Sequence, residues 1–254
     1  MSASFLDKTA STIAGWKWLQ SGWAFAALLP LWMMVGLALA VITMRVLVTV
    51  LVSLGVPLAM VDASILQTML AALVYVLTLM FVIGLPRLFK KYTSWNEMGL
   101  SRLLSWGDIG FAPAGFIVYF IGSSLLVYIG SKVIPGFDIS QAQDTGFSHA
   151  AQYYEYVLAF LTLIVVAPVA EELLFRGFLY GKLRSRMPVW VAMLLTSALF
   201  GLIHGQWNVG IDVFALSLVL CSLREITGSI WAGILLHMLK NSLAFFIIFI
   251  HPLL

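Results

Sequence analysis

Charge is what this sequence has least of. In 254 residues it carries 14 Lys and Arg and 11 Asp and Glu, so charged side chains make up 10% of the chain. Soluble domains run nearer a quarter charged, so a water-soluble globular fold is excluded. Cysteine is nearly absent too: the single Cys221 sits in an apolar stretch and excludes a disulfide framework. The net charge of +3 is too small for a nucleic-acid footprint, and no nucleic-acid partner is expected. Internal repeats, low-complexity tracts and lipidation motifs are lacking. What fills the space is apolar: 62% of residues, with a mean hydropathy of +1.03.

The expected fold is therefore all-α, a polytopic membrane bundle of about seven or eight transmembrane helices with the lipid bilayer as its partner. A span needs about 20 apolar residues. Candidate spans are 23–52, 65–85, 109–134, 154–180, 188–205, 210–223 and 229–250. The first is long enough to be one tilted helix or a hairpin, so residues 23–61 form one span or two, and the sixth is short enough to be re-entrant. One membrane domain, 1–254, accounts for the whole length. The first twenty residues, with Trp16 and Trp18, read as an interfacial lead-in rather than a cleaved signal.

Basic residues follow alternate spans: Arg87, Lys90 and Lys91, then Lys182, Arg184 and Arg186, then Arg224. The intervening loops carry Asp62, Asp138 and Asp144. By the positive-inside rule the basic loops are cytoplasmic and the C-terminus external. The stretch 94–106, with Trp95 and Trp106, is amphipathic enough to lie along the cytoplasmic interface.

Against this background, "EELLFR" at 171–176 is out of place. Three charges at membrane depth cost about 8–10 kcal/mol on the insertion scale, more than their apolar neighbours return. The fourth span therefore needs protein partners or a wet cavity. Glu172 and Arg176 stand one turn apart as an i,i+4 ion pair. Glu171 points about 100° away from Glu172 and has no counter-ion in its own helix. Pro168, one turn earlier, removes a backbone hydrogen bond.

Two further motifs carry polar groups at similar depth. "FGLIHG" at 200–205 holds His204, with Gly201 and Gly205 as a small-residue pair that admits a neighbouring helix. "HMLKN" at 237–241 sets His237 and Asn241 on one helix face. Lys240 faces away and reads as a snorkelling side chain. His149 and His251 read as surface residues, while Asp108, Asp212 and Glu225 fall at span ends, where a carboxylate is cheap. Gln206, Trp207 and Asn208 line an entrance or anchor the interface.

Glu with His can polarise a water, and a second His with Asn can donate to an oxyanion, which is the equipment of peptide-bond hydrolysis. No Ser or Cys stands as a nucleophile. The alternative use of the same groups is zinc, with Glu171, His204 and His237 as ligands, although H-E-x-x-H is absent. Metal-free water activation, with no cofactor required, is the preferred reading.

"EELLFR", "FGLIH" and "HMLKN" resemble, in order and spacing, the three signature motifs of the CAAX prenyl protease and bacteriocin-processing (ABI) family of intramembrane endopeptidases. The resemblance covers roughly 95–250, including "WNEMGL" before the core spans. It implies a multi-pass protease whose substrate is a membrane-associated peptide or protein, in some members prenylated. Carried over residue by residue, Glu171 corresponds to the water-activating base assisted by His204. His237 and Asn241 correspond to the oxyanion pair, with Glu172 and Arg176 in support. The expected location is the plasma membrane of a prokaryote. A non-catalytic scaffold or immunity protein, or an ion-coupled transporter, are the other readings.

Overall fold

In the computed structural model, the residues described are 22–90, 92–141, 147 and 152–251. They form seven continuous helical stretches and no strands. These are α1 (Gly22–Ser53), α2 (Ala63–Leu88), α3 (Trp106–Val133), α4 (Tyr153–Arg184), α5 (Val189–Leu202), α6 (Trp207–Thr227) and α7 (Trp231–Ile250). Trp16, Trp18, Lys91, Asp144 and His149 lie outside the described residues.

The first candidate span is one helix, not a hairpin. Pro30 falls inside α1, and the chain turns only after Ser53, through Gly55 (φ 81°) and a short 3₁₀ turn at Leu58–Met60. Local capping sets the next starts. Asp62 accepts from the backbone N–H groups of Ser64 and Ile65 at 2.9 and 3.2 Å to open α2, and Ser105 with Asp108 forms a capping box at α3.

Five helices, α1, α2, α3, α4 and α7, are long and apolar enough to cross a membrane. The fifth candidate is shorter than expected. α5 has 14 residues, about 21 Å of helix, against a hydrocarbon core of about 30 Å. α6 has 21 residues, more than the 14 of the sixth candidate, and buries Val213, Leu216, Leu220 and Cys221 against its neighbours.

α4 is the central element, contacting α2, α5, α6 and α7. It is not a uniform α-helix: wide π-helical turns at Leu161–Val166 and Leu173–Tyr180 flank the α-helical Ala167–Glu172. Pro168 sits where the wide turn hands over to the α-helix, so its missing N–H falls at an irregularity that already exists. α5 and α6 approach at Gly201 and Gly210, where a Cβ on Gly201 would lie 2.7 Å from the Gly210 carbonyl oxygen. The small-residue contact is therefore Gly201 with Gly210. Gly205, expected as its partner, has φ 69° and open space around it, and instead makes the turn out of α5.

The turn at 94–100 holds one end of the bundle together. It is no regular helix: its Glu97 pairs with Lys182 at 3.2 Å, the Arg224 guanidinium donates to the Glu97 carbonyl at 3.1 Å, and the Ile230 N–H donates to the Gly99 carbonyl at 3.2 Å. Basic residues that follow α2, α4 and α6 thus gather at one end, as the loop charges require.

Candidate active site

The first polar group to place is Glu172, fully buried on α4. Its Oε1 accepts from Arg176 Nη1 at 2.8 Å, the ion pair expected from i,i+4 spacing. The same oxygen lies 3.0 Å from His237 Nδ1 on α7. Space for this carboxylate comes from Gly233, one turn before His237: a Cβ there would stand 3.1 Å from Glu172 Oε2. The Arg176 guanidinium is also fully buried and lies over the Phe200 ring at 4.4 Å, so its charge is shared between a carboxylate and a π face.

Glu171 points elsewhere, as the helix geometry predicts. Its side chain is 19% exposed and lines an apolar cavity of about 780 Å³ between α1, α2, α4 and α5. Met33, Leu37, Leu70, Phe175 and Ile203 make much of the wall. Glu171 Oε1 accepts a hydrogen bond from the Tyr75 hydroxyl of α2 at 2.9 Å, and Oε2 lies 3.8 Å from His237 Nε2. The His237 imidazole is thus suspended between two adjacent glutamates, anchored to Glu172 by Nδ1 and turned to Glu171 by Nε2. A carboxylate on Nδ1 holds the proton there and fixes the ring orientation.

His204 completes the aromatic layer. Its Nδ1 is 2.7 Å from the Phe200 carbonyl of its own helix, which holds a proton on Nδ1 and leaves Nε2 free. Both imidazoles pack edge-on against Phe200, with ring centroids 5.1 Å away for His204 and 6.0 Å for His237. His204 lies within electrostatic reach of Glu171, His237 and Lys240. Asn241 sits one turn beyond His237, where Nδ2 donates to the Leu163 carbonyl at 2.8 Å, inside the first wide turn of α4. A second amide hydrogen and the side-chain carbonyl are left over.

Lys240 does not snorkel. It pairs with Asp212 of α6 at 3.4 Å, and Asp212 also accepts from Tyr119 at 2.7 Å and Ser123 at 2.5 Å on α3. Asp212 is therefore a tie between three helices rather than a solvated span end. Asp108 is fully buried against Arg102 at 2.5 Å, and Glu225 pairs with Arg184 at 2.8 Å. His251 is exposed. Cys221 is buried among apolar side chains.

Among the described residues, no three His, Cys, Asp or Glu side chains cluster closely enough to hold a metal ion. Glu171, His204 and His237 thus do not form a three-ligand cluster in this arrangement.

Tyr75 had no signal in the sequence. It is one apolar-helix tyrosine among several, 96 positions from Glu171, and only the packing of α2 on α4 brings the two together.

Comparison with known proteins agrees with the motifs. The family model described as Rce1-like, type II CAAX prenyl endopeptidase, matches residues 153–243. An Escherichia coli protein named "Uncharacterized 24.3 kDa protein" is 33% identical over 94 residues, 35% of this chain and 43% of its own length. A Bacillus subtilis protein named "Putative membrane peptidase YdiL" is 25% identical over 176 residues, 68% of this chain and 66% of its own. The UPF0177 protein YxdF of Lactococcus lactis is 28% identical over 132 residues, 51% of this chain and 66% of its own. The chain thus spans from about two fifths to two thirds of the length of these relatives. No solved structure matches. The stretch from α4 into α7, which carries all three motifs, is Rce1-like by family model as well as by motif.

Proposed function

We propose that this protein is an intramembrane endopeptidase that hydrolyses a peptide bond of a membrane-associated or lipidated substrate. One observation carries the reading: a carboxylate with no cationic partner in its own helix, Glu171, lies at the wall of an apolar cavity of about 780 Å³ with an anchored imidazole 3.8 Å away. The cavity suits an apolar substrate, and the carboxylate suits a general base.

In this scheme Glu171 takes a proton from a water within hydrogen-bond reach of Oε2 and His237 Nε2. The hydroxide attacks the scissile carbonyl carbon, and the proton held by Glu171 passes to the leaving amine. His237, anchored by Glu172, accepts a hydrogen from that water or, when protonated, donates to the oxyanion. His204, packed against the same Phe200 ring, assists. Asn241 contributes its remaining amide hydrogen to the same oxyanion. Glu172 and Arg176 hold His237 and the helix in place. The bacterial relatives and the apolar helices favour a prokaryotic cell membrane.

The test is Glu171→Gln, which keeps the shape and removes the base. Membrane peptides from cells carrying the wild type and the variant are compared by mass spectrometry. The expected result is loss of processed peptides and accumulation of their precursors, with the variant folded and inserted. Identical peptide sets would reject the reading and leave a non-catalytic membrane scaffold.

A further inference from the structure

We infer that Tyr75 is a positioning residue for the base, so that α2, which lies outside the motif-bearing part of the chain, contributes one residue to the active site. This inference rests on the endopeptidase reading above for its kinetic consequence. It stands on geometry for its physical content.

Glu171 has two oxygens and two different neighbours. Oε1 accepts from the Tyr75 hydroxyl at 2.9 Å, and Oε2 faces His237 Nε2 at 3.8 Å. A lone carboxylate on a helix has free rotation about its terminal torsion, which is broad and two-fold. The phenol bond removes that freedom by occupying one oxygen and turning the other toward the imidazole. Glu172 needs no such help, since Arg176 and His237 already hold its Oε1. Glu171 has no such pair within α4, so its orientation comes from across the bundle.

Tyr75 is itself constrained. Its ring lines the apolar cavity on the same helix face as Ala71, Val74 and Thr78, and Thr78 ties its hydroxyl back to the Val74 carbonyl at 2.7 Å. α2 packs on α1, where Trp32 donates to the Val82 carbonyl at 3.0 Å. The phenol is thus held by a braced helix, which is what a positioning group requires. Because Tyr75 and Glu171 share the cavity wall, a substrate entering there meets both.

The experiment uses the full chain in detergent or nanodiscs, with the wild type, Tyr75→Phe, and 3-fluorotyrosine incorporated at position 75. Infrared spectra with glutamate carboxyl carbons isotopically labelled identify the Glu171 carboxylate as the band missing from Glu171→Gln. The expected result is that this band moves in Tyr75→Phe and moves the opposite way with the stronger fluorophenol donor. Against a peptide substrate found by the mass-spectrometric comparison, Tyr75→Phe is expected to lower kcat about tenfold or more with KM within about twofold, because a misaligned base loses rate rather than binding. Fluorotyrosine is expected to restore kcat. An unmoved band overturns the inference, and so does a moved band with unchanged kcat. The infrared comparison needs no substrate, so a wild type that cleaves nothing would sink the endopeptidase reading while the band still decides whether Tyr75 holds Glu171.

Discussion

Glu172 Oε1 receives both Arg176 Nη1, at 2.8 Å, and His237 Nδ1, at 3.0 Å. One buried oxygen therefore joins the middle of α4 to the middle of α7. The ion pair balances the two buried charges of α4, and the bond to His237 Nδ1 turns the other ring nitrogen, Nε2, toward Glu171.

Arg176→Ala is expected to lower stability by about 3–5 kcal/mol, because it leaves Glu172 charged and without its cation in a dry interior. It also removes the guanidinium that covers Phe200. Thermal melting of the purified protein in detergent checks this. A midpoint equal to that of the wild type would show that Glu172 does not depend on Arg176 for its charge.

Asp212 and Lys240 form a tie whose two ends are unequal. Asp212 accepts from Tyr119 and Ser123 at Oδ1 and pairs with Lys240 through Oδ2, so Asp212→Ala strands three donors while Lys240→Met deprives Oδ2 alone of its partner. Asp212→Ala is expected to be the more destabilising by about 1–3 kcal/mol, the cost of buried groups left unpaired. Equal melting points for the two variants would contradict the arrangement.

The turn at 94–100 gives a pH dependence. The backbone N–H of Ser94 donates to the Glu97 carboxylate at 2.7 Å and holds its pKa below the ordinary glutamate value; partial burial opposes this and Lys182 reinforces it. A depressed folded-state pKa means that the stabilising contribution is complete above the ordinary glutamate range and is lost as pH falls through the depressed value. Melting temperatures between about pH 6 and pH 3 are expected to fall more steeply for the wild type than for Glu97→Gln, given an ordinary Glu pKa of about 4.3. Parallel curves would remove Glu97 from that role.

Chelation bears on the chemistry. On the proposed carboxylate-base scheme, and with no three-ligand cluster among the described residues, cleavage is expected to survive exhaustive treatment with a metal chelator. Loss of activity that added zinc restores would require Glu171, His204 and His237 to close around the ion and would replace the scheme given above.

Much of this protein is written in local chemistry. The apolar composition dictates a helical membrane bundle, since in lipid every backbone N–H and C=O must be satisfied within the segment. The i,i+4 spacing dictates the Glu172–Arg176 pair, and the angular offset of Glu171 dictates that its partner lies outside α4. Both follow from one helical repeat and need no knowledge of the fold. Other contacts were not legible. The spacing Gly201–Gly205 suggested one close helix approach, yet Gly205 turns the chain and Gly210 makes the contact. Lys240 looked free to snorkel because Asp212, its counter-charge, sits 28 positions earlier on a different helix. Asn241 looked like an open donor, and its amide reaches Leu163 only because a wide turn opens α4 there. Tyr75 carried no mark at all.

The division has a physical reason. Sequence spacing determines which side chains share a face of one helix, because that depends only on a fixed angle and rise per residue. Which faces meet depends on packing between helices, set by small residues, bulges and side-chain volumes far apart in the chain. The charges and their intrahelical pairing were therefore determined by the sequence. The grip of Tyr75 on Glu171, the anchoring of His237 and the cavity they face were decided by the tertiary structure.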